Sequence, residues 1–427
     1  MNETPVDNGD KALGEVEAGF ELVNIRLPVL ATFAALVIGL GLGVALSGLD
    51  LAMWVTELVA LVGTLWLRAL QMTIIPLVAS LLVLGLSQMV KAASAGKAAR
   101  LFLMLVIGVA VAGGLFTALA LPVLLDVFPI PRDAAFFVLD GAQEKQDVPA
   151  ILDFLKSLVA PNIVAAAAET SMLPLTIFFA MFAIATTRLP AGQGERLIGF
   201  FHALANVMLI IIGWVLRVAP MGVAALAFGV GLESGGGAFA VLGHYILVVS
   251  AMGAFILVLA YFVAATAGGI GLPRFAKAIM PAQAVALSTQ SSLASLPAML
   301  DSANRLGLRA TTSEFVLPLA VAIFRATSVA MNLAVALYVA ALMGVDVPFA
   351  AMVIGILVGV IISIGSVSLP GSISFVVSIG PIALAMGVPI EPLVLLVAVE
   401  MLPDIMRTLG NVTMNVAVAS VVDRSRS

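Results

Sequence analysis

Three stretches of this sequence carry no charged residue at all: 27–49, 69–90 and 101–125, or 23, 22 and 25 residues counted end to end. Each is close to the roughly 20 residues that a helix needs to cross the hydrocarbon of a bilayer. Further apolar blocks lie at 163–187, 197–230 and 240–271. In lipid every backbone N–H and C=O must be paired within the protein, so such blocks can fold as helices and as little else. Composition agrees. Of 427 residues 62% are hydrophobic and only 10% are charged, against about 25% charged in soluble domains, and the mean hydropathy is +1.19. A net charge of −4 argues against a nucleic-acid partner. With no Cys and 2 His, the chain excludes disulfides, zinc clusters and thiol nucleophiles. Residues 1–26 are polar and mostly acidic, and are expected to form a short cytoplasmic tail with no cleaved signal.

The C-terminal third departs from simple spans. Residues 347–390 are uncharged over 44 positions, twice one crossing, and their middle is the turn-rich run from Ser363 to Ser374. A similar interruption is Ser288-Thr-Gln-Ser-Ser-Leu-Ala-Ser-Leu-Pro297. Both predict re-entrant helical hairpins, at about 276–302 and 348–385. Irregular backbone is tolerated at that depth only when buried in protein or lining a cavity. Paired interrupted segments are the best sequence pointer to a transporter's binding site. Lys91, Lys97, Arg100, Arg188, Arg196, Arg274, Lys277, Arg305, Arg309, Arg424 and Arg426 fall on one side if the spans alternate, which makes that side, and both termini, cytoplasmic. The large external segment 128–156 has no pattern that assigns it a role.

The last helix carries the main polar constellation. Glu400, Asp404, Arg407, Thr408, Asn411 and Asn415 recur at i+3/i+4 spacing and share one face. A charge at the bilayer centre costs at least about 2.5 kcal/mol, so such a stripe implies partners or a water-filled site. Arg407 offers a planar fork that fits a carboxylate, and Asp404 can accept from an ammonium. A plainer expectation is that Asp404 and Arg407 neutralise each other. Arg325 lies near the middle of the 315–345 block, where a polar cavity is a better host than lipid; snorkelling to an interface is the alternative. Arg68 and Arg217 are read as structural or interfacial, with a kink after Arg217. Glu57 is a possible partner of Arg68 across the first two helices. Ser291 and Ser292 are capping hydroxyls at a tip whose N–H groups suit an anion.

Several stretches together resemble the dicarboxylate/amino acid:cation symporter family, which includes glutamate transporters. They are Ile74-Ile-Pro-Leu-Val-Ala-Ser80, Pro174-Leu-Thr-Ile-Phe-Phe-Ala180, Ala219-Pro-Met-Gly-Val-Ala224, the first hairpin tip, Leu317-Pro-Leu319 and Arg407-Thr-Leu-Gly-Asn-Val412. The resemblance spans about residues 27–423. It implies an all-α integral membrane fold of eight transmembrane helices plus two re-entrant hairpins, a homotrimer in the cell inner membrane, and elevator-type alternating access. It also implies a scaffold at about 27–90 and 157–232 and a transport domain at about 98–127 and 240–420. By position, Arg407 matches the arginine for a substrate side-chain carboxylate, Asp404 the aspartate for the α-amino group, and Thr408 and Asn411 the remaining backbone contacts of the substrate. Ser291, Ser292, Ser328, Leu369 and Gly371 complete the implied substrate set. Ser363, Ile364, Ser366 and Asn415 are implied positions for cation coupling, and Glu400, with Asp404, is the titratable candidate if protons couple.

Two departures stand out. Where the family has Asn-Met-Asp-Gly-Thr, a sodium-binding turn, this chain reads Phe324-Arg325-Ala326-Thr327-Ser328, and the family's sodium-binding aspartate of the last helix falls on Asn415. Lost carboxylates and a gained guanidinium disfavour Na⁺, and make Arg325 a candidate surrogate cation. The expected activity is therefore symport of an acidic amino acid such as aspartate or glutamate, coupled to Na⁺ or H⁺ with reduced Na⁺ dependence. Uptake under separate Na⁺ and H⁺ gradients tests that expectation, and strict Na⁺ dependence defeats it. A proton-coupled C4-dicarboxylate symporter is the alternative. No enzyme and no cofactor are expected.

Overall fold

A computed structural model of the chain describes residues 28–49, 52–93, 96–131, 159–234, 237–365 and 371–426. The polar tail, most of the 128–156 segment and residues 366–370 lie outside them. The described residues are all-helical, without strands. The first group is α1 (Val29–Leu46), α2 (Met53–Gln71), α3 (Ile74–Ala93) and α4 (Lys97–Val127). After residue 158 come α5 (Ile163–Ala168), α6 (Met172–Thr186), α7 (Ala191–Arg217), α8 (Ala219–Ser234) and α9 (Gly237–Thr266). The last group is α10 (Leu272–Thr289), α11 (Leu296–Leu306), α12 (Ala310–Ile323), α13 (Ser328–Leu342), α14 (Phe349–Gly365), α15 (Gly371–Ala385), α16 (Leu393–Val399) and α17 (Met401–Ser425). Among the described residues, six helical segments are long and apolar enough to cross a membrane, and four shorter apolar helices accompany them.

Each expected hairpin is a pair of helices packed on each other: α10 with α11, and α14 with α15. The first turns at Gln290, which holds φ 51 in the left-handed region. Ser291 then stabilises the turn, its hydroxyl accepting from the Ala294 N–H at 3.2 Å and its carbonyl from the Ser295 hydroxyl at 2.8 Å. Gly307, at φ 81, stops α11. The tip of the second hairpin, with Ser366 and Leu369, lies outside the described residues, and Gly371 opens α15.

Early helices meet through bare backbone. A Cβ added at Gly39 of α1 would sit 2.4 Å from the Ala224 carbonyl oxygen of α8, and one at Gly231 of α8 would sit 2.4 Å from the Leu40 carbonyl oxygen. Small residues that let backbones touch are how helices associate where lipid offers no hydrophobic driving force.

Four sequence expectations change. The 163–187 block is two helices, α5 and α6, separated at Thr170, which takes φ 55. The kink after Arg217 is a full break: α7 ends there and α8 restarts at Ala219, whose follower Pro220 is tolerated in a first turn. Residues Met53–Gln71 form a helix that the charge-free stretches did not reveal. Glu57 and Arg68 both sit on that helix, α2, and both are exposed. Eleven residues apart, they are about 16 Å apart along its axis, so they do not pair across two helices. Finally, the 315–345 block is broken into α12 and α13, and Arg325 lies in the break.

Candidate functional site

The polar constellation forms where α17 begins. Pro403 has no N–H to return to the Val399 carbonyl, and the regular ladder lapses at Glu400, between α16 and α17. Helical geometry resumes with the Asp404 N–H bonded to the Glu400 carbonyl at 2.9 Å. Glu400, Asp404, Arg407, Thr408 and Asn411 are all buried, at 1, 7, 8, 5 and 7% exposure. Buried charge is tolerated only when paired, and these charges are paired. Arg407 donates from Nη2 to Glu400 Oε1 at 2.6 Å and from Nη1 to Asn332 Oδ1 at 2.7 Å. Its Nε stands 3.3 Å from Asp404 Oδ1. The plain i,i+3 pairing of Asp404 with Arg407 is thus only part of a larger network.

Supports for this network come from two other helices, α9 and α13, and from the break that precedes α13. Tyr245 of α9 donates to Glu400 Oε2 at 3.1 Å. Asn332 of α13 presents its carbonyl to Arg407 and donates from Nδ2 to Ser328 Oγ at 3.1 Å, which fixes the amide's orientation. The backbone N–H of Thr327 donates to Asn411 Oδ1 at 2.9 Å, and its hydroxyl lies 3.0 Å from the same oxygen and 3.1 Å from the Arg407 carbonyl. The break before α13 and the stripe on α17 are therefore stitched together. Gly410 permits the approach, since a Cβ there would meet Thr327 Cγ2 at 2.5 Å.

Arg325 occupies the four-residue break between α12 and α13 and is half-buried. It is attracted by Asp404 and repelled by Arg407. The Ser363 hydroxyl donates to the Arg325 carbonyl at 3.5 Å, which brings the end of α14 to the same place. Ile364, next along, is buried at 5%.

The expected residues divide accordingly. Glu400, Asp404, Arg407, Asn411, Ser328, Arg325 and Ser363 belong to one connected neighbourhood. The polar contacts described for the Ser291 side chain are local to its own turn, and Ser292 beside it is half-buried. Asn415 is fully buried, and neither of its amide atoms is hydrogen-bonded among the described residues. Sequence reasoning missed Asn332, Thr327 and Tyr245. Asn332 was findable as a lone amide in an apolar run, one turn after Ser328, and Tyr245 as one of 3 Tyr in the chain, set beside one of the 2 His.

A guanidinium has five N–H donors in a rigid fork. Asn332 and Glu400 take one each and Asp404 faces the Nε–H, so Arg407 keeps two donors for a further carboxylate, and two acidic groups stand beside it to receive a positive group.

A profile of the sodium:dicarboxylate symporter family matches residues 29–425. The chain is 25% identical over 372 residues to the proton/sodium-glutamate symport protein of Bacillus subtilis (strain 168), covering 85% of each. It is 27% identical over 459 residues to the neutral amino acid transporter B(0) of Oryctolagus cuniculus, covering 96% of this chain and 82% of the relative. The proton/glutamate-aspartate symporter of Escherichia coli (strain K12) is 28% identical over 272 residues, 64% of this chain and 62% of the relative. With its profile matched from the first described helix to the last, the chain belongs to the sodium:dicarboxylate symporter family and is a multi-pass membrane transporter.

Proposed function

We propose that this transporter carries an acidic amino acid, such as aspartate or glutamate, by cation-coupled symport. One observation carries the reading: a buried guanidinium, Arg407, with a buried carboxylate on each side of it, Glu400 and Asp404. An acidic amino acid has the matching set, an extra carboxylate for the cation and an ammonium for an anion. The names of the relatives, which include glutamate and glutamate-aspartate symporters, support the substrate class. Substrate contacts are assigned to Asp404, Arg407, Thr408, Asn411 and Ser328, with Ser291, Ser292, Leu369 and Gly371 from the hairpin tips. Ser363, Ile364, Ser366, Glu400 and Asn415 remain the coupling candidates.

The working architecture is eight transmembrane helices with two re-entrant hairpins, assembled as a homotrimer in an inner membrane with both termini cytoplasmic. A scaffold at about 27–90 and 157–232 holds a transport domain, at about 98–127 and 240–420, that moves as an elevator. The tight α1–α8 contact supports a rigid scaffold.

A second reading, proton-coupled transport of a C4-dicarboxylate, draws on the contact of Asp404 with Arg407 Nε. An aspartate engaged there is less free to take an ammonium. Uptake of labelled aspartate into proteoliposomes, competed by glutamate, succinate and a neutral amino acid, separates the readings. Competition by glutamate and not by succinate is expected. Competition by succinate alone selects the dicarboxylate reading, and competition by the neutral amino acid alone removes both.

A further inference from the structure

Resting on that reading of the site, a second cation in the same neighbourhood has a consequence for coupling. The stretch Ala310–Leu342 is a single apolar segment of 33 residues by composition. It is nevertheless broken between Ile323 and Ser328, near its middle. The C-terminal end of a broken helix presents unpaired carbonyls and a partial negative charge. In secondary transporters such ends and the unwound carbonyls beside them coordinate the mobile coupling cation. Here the break carries a cation of its own, Arg325.

Its surroundings make it part of the site's charge balance. Asp404 attracts it and Arg407 repels it. The next residues, Ala326 and Thr327, are fully buried, and Thr327 is tied to Asn411 and to the Arg407 carbonyl. The Arg325 backbone carbonyl, a ligand type suited to a small hard cation, instead accepts from the Ser363 hydroxyl. The formal charges of Glu400, Asp404, Arg407 and Arg325 sum to zero, so the four-residue site is neutral before any ion arrives. A mobile cation entering beside Arg325 would meet like charge at low dielectric, where repulsion is strong.

We propose that Arg325 is a tethered cation that takes the place of a mobile sodium ion beside the substrate site, so that an acidic substrate binds without Na⁺. It is a positioning residue: it sets the charge of Asp404's surroundings and holds no substrate atom itself.

The test uses the full chain, purified in detergent, titrated calorimetrically with aspartate and with glutamate in choline chloride and in sodium chloride of equal ionic strength. The wild type is expected to bind equally in both salts, within about twofold, and Arg325→Lys to behave alike because the charge is kept. Arg325→Gln is expected to lose about tenfold or more in choline chloride, and to recover on addition of guanidinium chloride or Na⁺. Wild-type binding that requires Na⁺ overturns the tethered cation and leaves the acidic-substrate reading intact. So does Arg325→Gln binding as tightly as wild type in choline chloride. Should Arg325→Gln fail to fold, the wild type and Arg325→Lys still decide. A wild type that binds neither acid in either salt overturns the substrate reading as well.

Discussion

The pair of Glu400 and Arg407 offers a quantitative test of how the site is held. Its atoms are 2.6 Å apart and its side chains 2% and 10% exposed. At an effective dielectric near 20 the bare attraction at that distance is about 6 kcal/mol, of which desolvation cancels the larger part. A hydrogen bond to a charged group is worth about 1.5–3 kcal/mol net. Glu400→Gln keeps an acceptor for Tyr245 and leaves Arg407 with Asp404, so it should destabilise by about 2 kcal/mol. Arg407→Gln leaves two buried carboxylates without their shared guanidinium and should cost about 3–5 kcal/mol. The double variant should recover part of that loss, giving a coupling energy of about 2 kcal/mol. The assay is unfolding by sodium dodecyl sulfate in mixed micelles, followed by far-ultraviolet circular dichroism for the four proteins. A coupling energy under about 0.5 kcal/mol, within the scatter of independent sites, refutes the pairing as a structural tie.

Asn332→Leu should lower stability by about 1–3 kcal/mol in the same assay, because Arg407 Nη1 loses its acceptor in a buried site; Ser328→Ala, which frees only the far side of the amide, should cost less. Gly39→Val drives a side chain into the α8 backbone, with Cβ at 2.4 Å from Ala224 O, and should abolish a monodisperse gel-filtration peak where Gly41→Val, in open space, does not. At the end of α17, Arg309 donates from Nε to Asp423 at 2.9 Å and also bonds the Asp423 carbonyl. Arg309 is 44% exposed, so Arg309→Ala should cost no more than about 1 kcal/mol and show itself as faster hydrogen exchange over 420–426, with unchanged exchange contradicting the clamp.

Much of this fold is legible because lipid allows few solutions. A charge-free run of 20 residues must be helix, and Ser-rich turn chemistry inside a double-length run must double back. Legibility failed where that rule has no purchase. The helix α2 was passed over because Glu57 and Arg68 interrupt its apolar pattern, although both are exposed at the helix surface. The breaks at Thr170, Val218 and 324–327 each carry or adjoin a single charged residue, Glu169, Arg217 and Arg325, which does not separate a helix end from a polar residue inside a continuing span. At the site, Glu400, Asp404, Arg407 and Asn411 follow from spacing on one helix. Asn332 and Tyr245 do not, because contacts across 75 and 155 residues of sequence have no period to betray them.

Everything proposed for the activity depends on the Arg407 guanidinium holding the carboxylate of the substrate. Calorimetric titration of aspartate into the wild type and into Arg407→Gln, each first shown to be folded by its melting curve, measures this directly. The account predicts saturable binding by the wild type and a loss of about 100-fold or more in the variant, as expected when a buried charge partner is removed. Arg407→Gln binding aspartate within about twofold of wild type would contradict it.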